Sequence, residues 1–208
     1  MLKYLIIFIG LGCLHSTHAQ KVLQKEWDQA DVTTLIIDSD EVFTIDITAS
    51  KTQKIRVYTS VEGETYESVV LRVAEKGNTR TIRTAYSPYF NKKDDKLAAH
   101  KVLAIDMIIE VPEGMSVEVR SAIASVSASG VFKELRVGLE DGNCDIANFL
   151  GNAALHTRQG AINVRALPGV RGTAVSKRGT VVNNLPGVGA YRVVAESVDG
   201  AISLLPTK

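Results

Sequence analysis

The sequence predicts an all-β protein. The finer expectation is a β-solenoid, parallel β-helix-like, with short coils of about 18–21 residues and an N-terminal part built of short alternating strands. Three observations carry this reading. No segment after the first twenty residues keeps a 3.6-residue apolar period, short runs alternate apolar with polar, and from about residue 115 the pattern repeats itself. The 208 residues hold 45% hydrophobic and 23% charged side chains, which suits one globular domain and excludes a disordered chain.

The first element is a targeting segment. Met1-Leu2-Lys3 is a short basic start, Tyr4 to Leu14 is apolar, and Thr17-His18-Ala19 supplies small residues before Gln20. That order describes a signal peptide over residues 1–19, cleaved after Ala19, so an exported protein of the periplasm, cell surface or medium is expected. The apolar stretch is shorter than the roughly 20 residues a spanning helix needs, so no transmembrane span is expected in the mature chain. Cys13 follows Gly12 as in a lipoprotein signal, but Gly10 stands where such signals carry leucine, and lipid anchoring through Cys13 is the lesser reading. Cleavage removes Lys3 alone among charged residues and leaves 23 basic groups against 23 acidic ones. A chain so balanced is not expected to bind nucleic acid.

Residues 20–31 read as a polar lead-in, with Trp27 as a lid over the end of a core. Residues 32–205 read as a single domain. Its first strands are expected over Val32 to Asp38, Val42 to Thr48, Ile55 to Val61, Val69 to Ala74 and Thr79 to Thr84. Polar or glycine-bearing breaks separate them, among them Asp38-Ser39-Asp40 and Lys76-Gly77-Asn78. A loop insertion follows at 86–101, holding Ser87-Pro88, Tyr89-Phe90 and Asn91 to Lys96. A connection this long tends to be functional or mobile. Its two aromatics suit either anchoring a partner or folding back over an open end. Leu103 to Val111 resumes as a strand, Pro112-Glu113-Gly114 turns the chain, and Ser116 to Arg120 follows.

The repeat is anchored on small residues at turns: Ala124, Gly142, Gly160, Gly179 and Gly200, spaced by 18, 18, 19 and 21 residues. Two positions after each anchor stand Val126, Cys144, Ile162, Val181 and Ile202, all apolar. Five before stand Val119, Val137, Leu155, Ala174 and Ala195, and three before stand Ser121, Leu139, Thr157, Ser176 and Ser197. A coil this short cannot bury a core alone, so it stacks on its neighbours and pairs with them in parallel. A β-sandwich with accidental spacing is the competing account, since its turns also recur every 8–12 residues. Cys144 is the only cysteine left after cleavage, forms no internal disulfide, and reads as a buried thiol.

The run Gln159-Gly160-Ala161-Ile162-Asn163-Val164, echoed by Asp199-Gly200-Ala201-Ile202-Ser203-Leu204, resembles the Gly-x-Ile-Asn pattern of the putative-adhesin family. These are bacterial exported β-solenoid domains of adhesin head type and unknown function. The resemblance covers roughly residues 30–205 and is strongest after Ser116. It implies a fold and an envelope or surface location, and it brings no catalytic residues.

Chemistry is sparse. His100 and His156 lie far apart, with no cysteine pair, which leaves no zinc spacing. Asp38-Ser39-Asp40-Glu41 holds carboxylates but lacks the glycine and spaced acids of a calcium loop, and reads as a polar strand connection. No Gly-x-Ser-x-Gly elbow occurs, and Gly187-Val188-Gly189 opens no phosphate-cradling loop. No catalytic, cofactor-binding or metal residue is therefore assigned, no cofactor is expected, and the chain is read as a non-enzyme. The alternative is a carbohydrate-active enzyme on a β-helix scaffold. It would use Glu140, Asp141 and Asp145, whose neighbours one period on are Arg158, Gln159 and Asn163. The basic set Arg158, Arg165, Arg171, Lys177 and Arg178, with Lys92, Lys93 and Lys96, could meet an anionic glycan or lipid headgroup. Solvated charge protecting sheet edges explains the same residues. The reading is an exported, non-catalytic envelope or surface binding or structural module, its partner an unknown envelope protein or glycan.

Overall fold

The computed structural model describes residues 20–63, 66–87 and 103–207. The expected signal peptide over 1–19, most of the expected 86–101 insertion with Tyr89, Phe90, Lys92, Lys93 and Lys96, and His100 lie outside those residues. The expected strands all form: β2 (Thr34–Asp38), β3 (Thr44–Ser50), β4 (Lys54–Gly63), β5 (Val69–Lys76), β6 (Thr79–Tyr86), β7 (Leu103–Pro112) and β8 (Ser116–Ser121). The lead-in is a strand as well, β1 (Gln20–Asp28), paired antiparallel with β4 so that Trp27 lies opposite Ile55. Beyond β8 come β9 (Ser125–Asp141), β10 (Cys144–Gln159), β11 (Ile162–Ala166), β12 (Val170–Ser176), β13 (Val181–Asn183), β14 (Tyr191–Ser197) and β15 (Ile202–Pro206).

All fifteen strands belong to one mixed sheet that curls around a single core. One face runs β1-β4-β7-β3-β9-β10-β11-β15-β13, and the other runs β5-β6-β2-β8-β9-β10-β14-β12. The long strands β9 and β10 belong to both. The first half of β9 pairs with β3 and its second half with β8, while β10 pairs first with β11 and then with β14. The corner in β10 falls at Asn148–Gly151, where the register with β9 shifts and both residues adopt positive φ. Phe132 and Phe149 fill the interior beside these corners, their rings stacked with centroids 6.1 Å apart.

The repeat sets the parallel ladder. Val126 pairs with Cys144, Cys144 with Ile162, Ile162 with Ile202, and Ile202 with Val181. The turn anchors stack in the same order. A Cβ on Gly142 would meet the Ala124 carbonyl oxygen at 2.0 Å, one on Gly160 the Gly142 oxygen at 2.1 Å, and one on Gly200 the Gly160 oxygen at 1.5 Å. Only glycine lets the turns approach this closely. The hydroxyls three residues before the anchors hold the turns. The amides of Ala124, Gly179 and Gly200 donate to Ser121, Ser176 and Ser197 Oγ at 3.2, 2.9 and 2.8 Å, and Thr157 Oγ1 donates to the Gly142 carbonyl at 3.1 Å.

The expectation of a β-solenoid of successive coils over 32–205 needs correction, while the all-β class holds. In a solenoid each coil lies on the one before it. Here β14 and β15, last in the chain, enter between β10/β11 and β12/β13, and antiparallel pairs join β1, β4 and β7 and join β5 and β6. The insertion leaves β12 and β13 at the end of the ladder. Val181 is consequently 42% exposed while Val126, Cys144, Ile162 and Ile202 are at most 1% exposed. The opposite end is closed by Arg80, which stacks over Trp27 with its guanidinium carbon 4.9 Å from the ring centroid and pairs with Glu75 at 2.6 Å.

Candidate functional site

Alternation puts every second side chain of a strand outside, so in-register strands line those side chains up into rows. Across the first face one row reads Gln24, Tyr58, Ile108, Asp46, Ser127, Asp145, Asn163, Ser203 and Val182, each the partner of the next. Its middle lines an open groove of about 650 Å³. Asp46, Ser127, Asp145, Asn163 and Ser203 run along this groove for four strand steps, about 19 Å at the usual strand spacing, and Arg165 stands at its side. Two contacts order the row. The Ser127 hydroxyl hydrogen-bonds the Asp46 carboxylate, and Asn163 Nδ2 donates to Asp145 Oδ1 at 2.8 Å. Toward β1 the row turns apolar, with Ile108 58% and Tyr58 36% exposed. The groove thus offers carboxylate and hydroxyl acceptors, amide, hydroxyl and guanidinium donors, and an apolar flank.

A charged network holds the strands beneath this flank. Glu26 takes Lys54 and Arg56, and Arg56 also reaches Glu110 at 2.6 Å. The Ser50 hydroxyl and the Arg56 guanidinium hold the Glu110 carboxyl below the usual carboxylate range, and Lys54 and Arg56 do the same for Glu26.

The second face carries a shallower hollow of about 620 Å³, lined by Asp40, Arg120, Glu140, His156 and Arg158. Gly138 lies between Arg120 and His156 in the ladder and, lacking a side chain, leaves the gap.

The acids weighed for glycoside chemistry do not converge. Asp145 lines the first groove, Glu140 lines the second, and Asp141 is held by Arg158 at 2.7 Å. Arg178 is likewise paired with Asp199, at 2.7 Å, and Asp145 is bonded to Asn163. The Asp38 to Glu41 carboxylates also diverge. Asp38 takes Arg83 at 2.5 Å, Asp40 accepts the Ala122 amide at 2.8 Å, and Glu41 accepts the Thr84 hydroxyl at 2.7 Å. Among the described residues no group of three or more His, Cys, Asp or Glu side chains could hold a metal ion. Cys144 is buried, as expected, and desolvation pushes its thiol up to about 12. No helix among the described residues is long and apolar enough to cross a membrane.

Asp46, Ser127, Ser203, Tyr58 and Ile108 were not legible as site residues, because an outward polar residue in an alternating strand carries no mark of function. Their shared row comes from strand pairing, and only the spacing of 18 between Ser127, Asp145 and Asn163 was present in the sequence.

No family model matches the chain, and no curated protein matches its sequence. Among solved structures, a "putative cell adhesion protein" from Clostridium sporogenes is 16% identical with a TM-score of 0.63, covering 90% of this chain and 99% of that one. A "putative adhesin" from Bacteroides fragilis is 15% identical with a TM-score of 0.40, covering 89% of this chain and 97% of that one. The chain therefore has the fold of a solved structure described as a cell adhesion protein, in keeping with the putative-adhesin resemblance of its Gly160 and Gly200 runs.

Proposed function

We propose that the protein is an exported, non-catalytic binding module of the cell envelope or surface, and that it takes its partner in the groove running from Asp46 to Ser203. The observation that carries the proposal is the row itself. Five strands place a hydrogen-bonding side chain at the same level of one open groove, flanked by Arg165 on one side and by exposed Tyr58 and Ile108 at one end. Rows of this kind contact a partner at several points from a scaffold that does not have to reorganise, which lowers the cost of binding. The fold shared with a structure described as a cell adhesion protein supports a surface role. The separation of Glu140 from Asp145 weighs against the hydrolase alternative.

The test fills the groove. Ser127→Trp places a bulky ring in the middle of the row, and Lys51→Trp alters an exposed site away from it. Retention of the labelled protein on envelope fragments from its source cell is expected to fall at least about tenfold, roughly 1.4 kcal/mol, for Ser127→Trp alone. Equal retention of both variants and wild type would remove the groove from the account.

A further inference from the structure

We propose a second docking surface, independent of the groove, at the end of the ladder formed by β12 and the chain entering β14, and we assign it to an anionic lipid surface. The first observation is electrostatic. Between Asp145 and Glu196 the sequence contains no Asp or Glu, while it contains Arg158, Arg165, Arg171, Lys177, Arg178 and Arg192. Arg158 and Arg178 are neutralised by Asp141 and Asp199. Arg171 and Arg192 are not. They are direct partners on the parallel strands β12 and β14, both exposed, and neither makes an ion pair among the described residues.

Like charges placed directly opposite on neighbouring strands repel each other, and an anion lying over both would relieve that repulsion. Nothing in the row relieves it. The next residue inward is Asn152, whose Oδ1 accepts the Arg192 amide at 3.0 Å, and beyond it Glu134 is held by Arg136 at 2.7 Å.

The second observation is apolar. The segment between β13 and β14 carries Val188, 82% exposed, next to Gly189, which lies against the Arg171 amide, whereas the exposed Val175 farther along β12 lies opposite Glu196 and outside the patch. An exposed aliphatic side chain beside two unpaired arginines matches an interface of headgroup phosphates over hydrocarbon. A two-fold contact centred on this edge would face these cations with themselves, which disfavours a second copy there.

Co-sedimentation of the full chain with lipid vesicles tests the assignment. Retention is expected on phosphatidylcholine vesicles containing about 30% phosphatidylglycerol, a composition carrying negative surface charge. It is expected to fall with added salt and to be absent on pure phosphatidylcholine. Each arginine near such a surface is worth about fivefold in partitioning, so Arg171→Gln with Arg192→Gln should lower it roughly 25-fold. Val188→Asp should lower it further, and Arg72→Gln, on an exposed position of β5, should leave it unchanged. Unaltered melting of each variant shows that the fold is intact. Three results overturn the proposal: no retention on anionic vesicles, equal retention on both kinds, or wild-type retention of the double variant. Loss of a dimer on the same substitutions would assign the edge to a second copy and also overturn it.

Discussion

Replacing Gly160 by alanine puts a methyl group 2.1 Å from the Gly142 carbonyl oxygen and 2.6 Å from its carbon, at a backbone φ of +128°. Both effects raise the energy of the folded state. Forcing a methyl into a closed contact costs about 1–3 kcal/mol, and holding alanine at that φ costs about 1–2 kcal/mol more. The expected loss is therefore about 2–5 kcal/mol. At roughly 2–4 °C per kcal/mol for a chain of this size, melting should fall by about 4–20 °C. Other glycines separate the two causes. Gly200→Ala meets the Gly160 oxygen at 1.5 Å with no positive φ, so it reports close approach alone. Gly169→Ala has φ +95° and nothing within 4 Å, so it reports backbone strain alone. Gly187→Ala has neither and should be neutral, or stabilising by about 0.4–1 kcal/mol through the unfolded chain. Thermal unfolding followed by far-ultraviolet circular dichroism provides the ranking. If Gly200→Ala melts with wild type while Gly169→Ala falls, the turns do not stack and the reasoning fails.

Phe149→Ala removes a fully buried ring stacked on Phe132 and should cost about 3–5 kcal/mol in denaturant unfolding, whereas Tyr58→Ala on the exposed flank should cost far less. Cys144, with its thiol raised to about 12, should resist thiol reagents at pH 8 and react only as fast as the chain opens; rapid labelling of the native protein would contradict its burial. Glu26 and Glu110 have folded-state carboxyls lowered by Lys54, Arg56 and Ser50, so their contribution to stability is present above the ordinary carboxylate value and lost as pH falls through the lowered ones. Glu110→Gln should therefore flatten the acid limb of the melting-temperature curve, and an unchanged limb would show that the pairing is fully screened by solvent.

The repeat was legible because parallel pairing asks the same thing of each turn: a residue without bulk at Gly142, Gly160, Gly179 and Gly200, a hydroxyl three before most of them, and an apolar side chain two after. The strand order was not legible, because two segments answer that demand equally. Ala174, Ser176, Gly179 and Val181 match Ala195, Ser197, Gly200 and Ile202 position by position, so either set could lie on β10 and β11. The difference is burial. Ile202 fills the column between Ile162 and Val181, and Val181 ends it half in solvent. β1 reads as a polar lead-in in the sequence because Lys21, Gln24, Lys25 and Glu26 dilute its alternation. Its inward contribution is little more than Leu23 and Trp27, which pack against the edge of the core. Asp145 and Asn163 stand one period apart in the sequence, but Asp46 lies 81 residues before Ser127, and only the fold joins them.

Engineered disulfides test the strand order itself. In a Cys144→Ala background, Asn163→Cys with Ser203→Cys places two thiols on directly paired strands, about 5 Å apart at the Cα atoms, within disulfide range. Asn163→Cys with Val182→Cys places them two strands apart, about 10 Å, beyond that range. Under mild oxidation the first pair is expected to close within the monomer, as read by mass spectrometry and non-reducing electrophoresis, and the second to stay open. Closure of the Asn163–Val182 pair in place of the first would show that the chain stacks in sequence order and would contradict the inserted ladder.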